Sequence, residues 1–354
     1  MLSFDTVELK PEQQTYPSPH CSEYPKALYI ELTDRCNLLC PMCRQSAVAG
    51  DVLPLETFKE IADTLFPHAV FVDLRGWGES TMLPNFADYL DYSLKFPLKK
   101  KLITNATVNK PSVWQRLGET GVVVGVSIDA ADRDLYEQLR VGGKLEKTLS
   151  NVRHLVRAAE AAGYDPKQQV YFCLTASGSN IFEMKNIVRL GLDLGIDRFK
   201  LEPIKTSELD PAHLKNFTKE VREEMETLRD LARETGARIE LSASMIEEDV
   251  HLPATRKLCI HPWQYLYVNA RGRMGFCDHL NGVEEFTFAR WGEVDFDTFW
   301  NGEQMVGLRQ EHLARFHQEQ QISICGDCNW CYERRYMDLE DWVEPGWSAY
   351  RVQL

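Results

Sequence analysis

No stretch of the 354-residue chain approaches the roughly 20 consecutive apolar residues of a membrane-spanning helix, so no membrane role is expected. Positive charge is in deficit: 40 Lys and Arg face 53 Asp and Glu, a formal net charge of −13. A surface of that sign repels phosphate backbones and argues against nucleic acid as a main partner. The opening MLSFDTVELKPEQQTYPSP lacks the basic start and apolar centre of a secretory signal, which points to the cytoplasm. Internal repeats and low-complexity tracts are missing too. What is left is an ordinary globular composition, 44% hydrophobic and 26% charged, at a length that suits one large domain and a smaller one.

Cysteine is unevenly placed, with eight of ten residues in two clusters. In a reducing compartment such clusters indicate metal rather than a disulfide framework. Cys21 and Cys173 stand outside them.

From Ala27 onward, short β-branched runs alternate with apolar patterns of helical period. Strands are expected at Leu28 to Leu32, Val70 to Leu74, Lys101 to Thr104, Val122 to Ile128, Val170 to Leu174 and Phe199 to Ile204. Helical patterns lie between them, and alternation of this kind builds a parallel sheet through right-handed crossovers. The units fall short of the eight in a closed barrel, so the expected fold is α/β, a partial (β/α)6 barrel. A charged helix at about Pro211 to Thr235 and a strand at Arg238 to Leu241 end this layer. A hairpin then flanks a turn at Asn269 to Gly272, and a helical stretch follows at Phe296 to Phe316. The expected organisation is an N-terminal extension over 1–26, the barrel over 27–245 and a small cysteine-rich α+β domain over 246–354.

After the first strand, TDRCNLLCPMCRQ sets Cys36, Cys40 and Cys43 on one loop. A structural zinc site closes with four ligands, whereas three thiolates on a [4Fe–4S] cube leave one iron free to chelate a small molecule. The carboxyl end of a parallel strand is also where α/β folds place their ligands. In the second cluster, Cys259 and Cys277 bracket the hairpin, and ICGDCNWCYER supplies Cys325, Cys328 and Cys331. By spacing alone this set suits zinc and iron–sulfur equally.

The Cys-x3-Cys-x2-Cys loop resembles the signature of the radical S-adenosylmethionine (SAM) superfamily, and further landmarks follow in order over about Ala27 to Leu241. RGWGES resembles the family's Gly-Gly-Glu element for the SAM amino group, with Gly78 and Glu79 matching and Trp77 standing where glycine is usual. LITNA, with Asn105, ends the third strand in the family's manner. Ser127 and Asp129 in SID stand where the family contacts the ribose, and Arg140 fits its recurring arginine. Met42 departs from the aromatic residue often found before the third cysteine. The resemblance implies SAM bound to a reduced cluster, homolysis to a 5′-deoxyadenosyl radical, and hydrogen abstraction from substrate inside a shielding barrel.

The second cluster, Cys-x12-Gly-x4-Cys followed by Cys-x2-Cys, resembles the SPASM/twitch extensions that carry auxiliary [4Fe–4S] clusters. Its five cysteines imply the shorter twitch form with one such cluster, held most simply by Cys259, Cys277, Cys325 and Cys328. Cys331 is left as a spare, an alternative ligand or a catalytic thiol. Two [4Fe–4S] clusters are therefore expected, with a flavodoxin- or ferredoxin-type one-electron reductant as partner.

Charged residues inside buried parallel strands face a polar lumen or form ion pairs. Glu31, Lys200 and Glu202 are the catalytic candidates of this kind, with Asp73 and Arg75 beside them. Cys173 is either a small buried side chain or a hydrogen-atom donor. A ring of mixed charge suits a small polar substrate. The expectation is oxidation of a sugar, aminocyclitol or nucleoside-like metabolite in natural-product biosynthesis, similar to twitch-type 2-deoxy-scyllo-inosamine dehydrogenases. Epimerisation, decarboxylation and peptide modification of the SPASM maturase type are the alternatives. The cysteine count and the short stretch before the barrel count against the last.

Overall fold

The computed structural model describes residues 18–43, 50–207, 209–241, 261–277, 286–316 and 352–353. Strands β1 (Ala27–Ile30), β2 (Phe71–Asp73), β3 (Lys99–Thr104), β4 (Val123–Ser127), β5 (Val170–Ala176), β6 (Arg198–Pro203) and β7 (Arg238–Leu241) pair in sequence order, all parallel. Helices α1 (Leu55–Leu65), α2 (Phe86–Ser93), α3 (Pro111–Glu119), α4 (Arg133–Leu139), α5 (Leu145–Ala161), α6 (Pro166–Gln169), α7 (Met184–Asp193) and α8 (Thr218–Thr235) connect them. The strand alternation explains the layering. Leu28, Ile30, Val72, Leu102, Val124 and Phe172 join the apolar core, because residues two apart share a face. Intervening positions such as Asp73, Lys101 and Lys200 take the other face.

Two local signals set helix ends. Asp132 caps α4 by accepting the Leu135 N–H, and Gly236 closes α8 in a left-handed conformation (φ +73°) with its N–H on Ala232 O. The helix expected from about Pro211 begins only at Thr218, after a short 3-10 turn at Leu214–Phe217.

The sheet runs on past β1. Strand β8 (Tyr265–Val268) lies parallel to β1 with Ala27 opposite Tyr265 and Ile30 opposite Val268. Strand β9 (Arg273–Gly275) completes the expected hairpin, and β10 (Thr287–Arg290) adds to it antiparallel. With β11 (Val352–Gln353) against β7, the described strands form one sheet in the order β10-β9-β8-β1-β2-β3-β4-β5-β6-β7-β11. The short α9 (His261–Gln264) leads into β8.

The helical stretch expected at Phe296 to Phe316 is two helices, α10 (Phe296–Trp300) and α11 (Glu303–Phe316). At Asn301 the side-chain amide turns outward, accepting the Cys21 N–H at 2.8 Å and donating to Cys21 O at 2.9 Å. Trp300 Nε1 donates to Glu23 O and Arg309 Nη1 to Pro19 O, so the segment before β1 is held on the α10–α11 corner by its backbone.

Candidate active site

Every element of the site sits at the carboxyl ends of the parallel strands. The cysteine loop leaves β1 through Thr33, whose hydroxyl donates to Asp51 O at 2.7 Å and accepts the Arg35 N–H. The loop after β2 packs directly on it. The Glu79 N–H reaches Arg35 O at 2.9 Å, and a Cβ on Gly78 would lie 2.2 Å from Thr33 O and 2.5 Å from Arg35 O. Only glycine fits there. From the other side, the Leu39 N–H donates to Val141 O, and Gly142 (φ +95°) brings its backbone against Asn37 O and Leu38.

Cys36 is half-buried, Cys40 buried and Cys43 exposed, with the Cys43 N–H turned back on Cys40 O at 3.0 Å. Among the described residues no three His, Cys, Asp or Glu side chains form a ready-made metal cage. The fit to a cluster lies in the donors aimed at sulfur. Asn105 Nδ2 points to Cys36 Sγ at 3.7 Å and Arg140 Nη1 to Cys40 Sγ at 3.9 Å. Such donors stabilise negative sulfur and tune a bound cluster. Burial pushes both thiols up, while Arg140 pulls Cys40 back. A three-thiolate iron–sulfur site suits this donor set.

Glu79 is buried, and both its oxygens are engaged. Oε1 accepts the Thr81 N–H (3.2 Å), the Thr81 hydroxyl (2.6 Å) and the Thr104 hydroxyl (2.7 Å), and Oε2 accepts the Asn105 N–H (2.7 Å). Burial raises its pKa and these donors oppose the rise. Glu79 thus bolts the loop after β2 to the end of β3. Asn105 accepts from the Thr107 N–H and hydroxyl and donates to Asn37 Oδ1 as well as Cys36. Asp129, also fully buried, accepts the Thr175 N–H on Oδ1 at 2.7 Å and pairs with Arg140 Nε on Oδ2. Burial works against the Arg140 charge, but Asp129 and Cys40 outweigh it and hold its pKa above the ordinary value. Ser127, opposite Cys173 in the β4–β5 register, ends β4 below this group.

Beneath the mouth, the polar face of the sheet carries an ion network. Asp73, fully buried, lies 3.1 Å from Arg75 and 3.7 Å from the equally buried Lys101, while Lys200 pairs with Glu202 at 3.2 Å along β6. Burial drives the Lys101 pKa well down, with Arg75 and Lys200 acting in the same sense and Asp73 against. Cys173 lies opposite Lys200 in the register, its thiol pushed up by burial and pulled down by Lys200 and Lys101. Three of the four catalytic candidates therefore meet on one strand pair. Glu31 stands apart, one residue past β1, with Oε1 accepting the Trp77 N–H at 2.6 Å and Oε2 the Ala270 N–H at 3.0 Å.

Thr81, Thr104 and Lys101 were not singled out from sequence. Lys101 was legible in principle, since the run Lys99 to Lys101 in a strand puts a lysine on the polar face. The threonines had no signal, because a hydroxyl donor is recognised only by the carboxylate it meets. In the second cluster, Cys277 is buried with His261 Nδ1 3.2 Å from its Sγ. Cys259, Cys325, Cys328 and Cys331 lie outside the described residues.

Comparison with known proteins places this geometry. The radical SAM superfamily model matches residues 30–191, and an iron–sulfur cluster-binding domain model, SPASM, matches 259–329. The chain carries a radical SAM domain, which binds SAM and a [4Fe–4S] cluster, followed by a SPASM domain, which binds auxiliary iron–sulfur clusters. Its architecture is the radical SAM partial barrel. It is similar to the antilisterial bacteriocin subtilosin biosynthesis protein AlbA of Bacillus subtilis, 24% identical over 88% of this chain and 68% of that one. It is also similar to the mycofactocin maturase MftC of Mycobacterium tuberculosis, 33% identical over 39% of this chain and 36% of that one, so the match spans little more than a third of that relative.

Among solved structures, Streptococcus suis SuiB bound to S-adenosylmethionine superposes with a TM-score of 0.65 at 16% identity, over 82% of this chain and 68% of that one. SuiB bound to the precursor peptide SuiA gives 0.62 at 15% identity, over 80% and 66%. These likenesses speak for the fold. The expectation of a small polar metabolite as the partner substrate is corrected here, because the curated relatives are a bacteriocin biosynthesis protein and a maturase. The mixed charge of the lumen misled because ion pairs within the sheet account for it.

Proposed function

We propose that the protein is a peptide-modifying radical SAM enzyme of the SPASM maturase type. The observation that carries this reading is the likeness to AlbA across 88% of the chain, both domains included. In the proposed roles, Cys36, Cys40 and Cys43 hold the SAM-binding cluster, Asn105 and Arg140 donate to its sulfurs, and the Gly78–Glu79 loop and Asp129 shape the SAM pocket. The bound cofactor supplies one-electron cleavage of SAM to a radical that removes hydrogen from substrate. Asp73 and Lys101 brace the sheet beneath by their ion pair, and Cys173, opposite Lys200 in the β5–β6 register, is the proposed contact to the group to be attacked. Cys277 is proposed as an auxiliary-cluster ligand, with His261 against its sulfur. A set of uniformly deuterated ribosomal precursor peptides, incubated with SAM and the reduced protein, is expected to include one that passes deuterium into 5′-deoxyadenosine. Deuterium arriving only from a labelled aminocyclitol or nucleoside would refute the reading.

A further inference from the structure

We propose that Glu31 is a positioning residue that locks the loop after β2, read above as part of the SAM pocket, to the β8–β9 hairpin, so that SAM affinity depends on the hairpin. The inference rests on that reading of the loop and adds a coupling to it. Four observations support it. Glu31 is only 3% exposed, yet no cation pairs with it in the structure as described; its two oxygens go to backbone N–H groups from two different segments, Trp77 in the loop and Ala270 in the hairpin turn. A buried carboxylate is costly, and two charge-assisted bonds to backbone offset that cost only while both segments stay in place. The loop passes so close that a Cβ on Gly76 would lie 2.2 Å from Glu31 Cγ. The β1–β8 ladder also carries one bond past the strands, from the Glu31 N–H to Val268 O at 2.9 Å.

A second tie runs on the other side of the turn. Arg271 pairs with Asp51 at 2.6 Å, and Asp51 O receives the hydroxyl of Thr33 on the cysteine loop. Strand β9 ends two residues before Cys277, so the hairpin that grips Glu31 is the one leading into the second cysteine cluster. Burial pushes the Glu31 carboxyl up, while the Trp77 and Ala270 N–H groups favour its charged form. Because both bonds are to backbone, they tolerate Trp77 where the family has glycine.

The test is Glu31→Gln in the reconstituted full chain. Glutamine can accept at one position only and turns an NH2 group toward the other N–H, so one of the two segments is released. The expected result is SAM binding weakened about tenfold, with iron content unchanged and a diminished change in the electron paramagnetic resonance (EPR) spectrum of the reduced protein on adding SAM. Wild-type SAM affinity and spectrum, with only a lower melting temperature, would overturn the proposal and leave Glu31 as part of the fold alone. If Glu31→Gln does not accumulate folded, Arg271→Ala is measured instead; it removes the tie of the hairpin turn to Asp51, outside the SAM pocket, and weaker SAM binding supports the coupling whereas unchanged binding overturns it. Failure of the wild-type protein to bind SAM would instead refute the reading of the loop.

Discussion

Two threonine hydroxyls and two backbone N–H groups donate to the deeply buried Glu79 carboxyl and favour its charged form, against the rise that burial gives its pKa. Thr104→Val keeps the shape but removes a donor to Glu79 and the acceptor of the Ala106 N–H, the second loss being independent of pH. Hydrogen bonds to charged groups contribute about 1.5–3 kcal/mol, and a loss of that order is expected at neutral pH. The pH dependence follows from linkage. Glu79 has a folded pKa raised above its unfolded value by burial, so its ionisation costs stability above the unfolded pKa, and the cost fades as pH falls. With one donor gone that pKa rises further. Urea denaturation should therefore show the variant's deficit growing from acid toward neutral pH; a deficit equal at both would contradict the assignment of Thr104 as a donor to the charged form. The glutamate itself was visible in the sequence through the Gly78–Glu79 resemblance. Its partner Thr104 was not, since it comes from the end of the neighbouring strand β3, 25 residues on.

Among the elements, the parallel strands were the most legible because short β-branched and apolar runs are written locally, as in Val123–Ser127 and Val170–Ala176. The corner between α10 and α11 falls at Asn301–Gly302, a turn signal that the apolar period running on either side of it hides. That corner holds the segment before β1 through Asn301, Trp300 and Arg309. Asn301→Ala deletes two of these bonds, at roughly 0.5–1.5 kcal/mol each. The expected outcome is a modest fall in melting temperature together with faster proteolytic cleavage near residues 18–24. Cleavage at the wild-type rate would show that the segment is secured without Asn301.

Across the whole molecule, one sheet joins the parallel strands of the radical SAM domain to the hairpin of the SPASM region through the β1–β8 pair. Sequence patterns divide the chain near Ile246 because composition changes there. Pairing between strands from opposite ends of the sequence leaves no local mark. The substrate class was similarly out of reach from composition, since ion pairs such as Asp73–Lys101 and Lys200–Glu202 look the same in a sequence as a polar binding site.

The central claim is that the loop of Cys36, Cys40 and Cys43, braced by Asn105 and Arg140, supports reductive cleavage of SAM. Its most direct test is 5′-deoxyadenosine release by the anaerobically reconstituted protein given SAM and a strong reductant. Release is expected from the wild-type chain, with about eight irons bound as two [4Fe–4S] clusters require, and none from the triple variant Cys36→Ala, Cys40→Ala, Cys43→Ala, which keeps its auxiliary iron. An iron-loaded wild-type protein that binds SAM without cleaving it, or a triple variant that still cleaves it, would contradict the account.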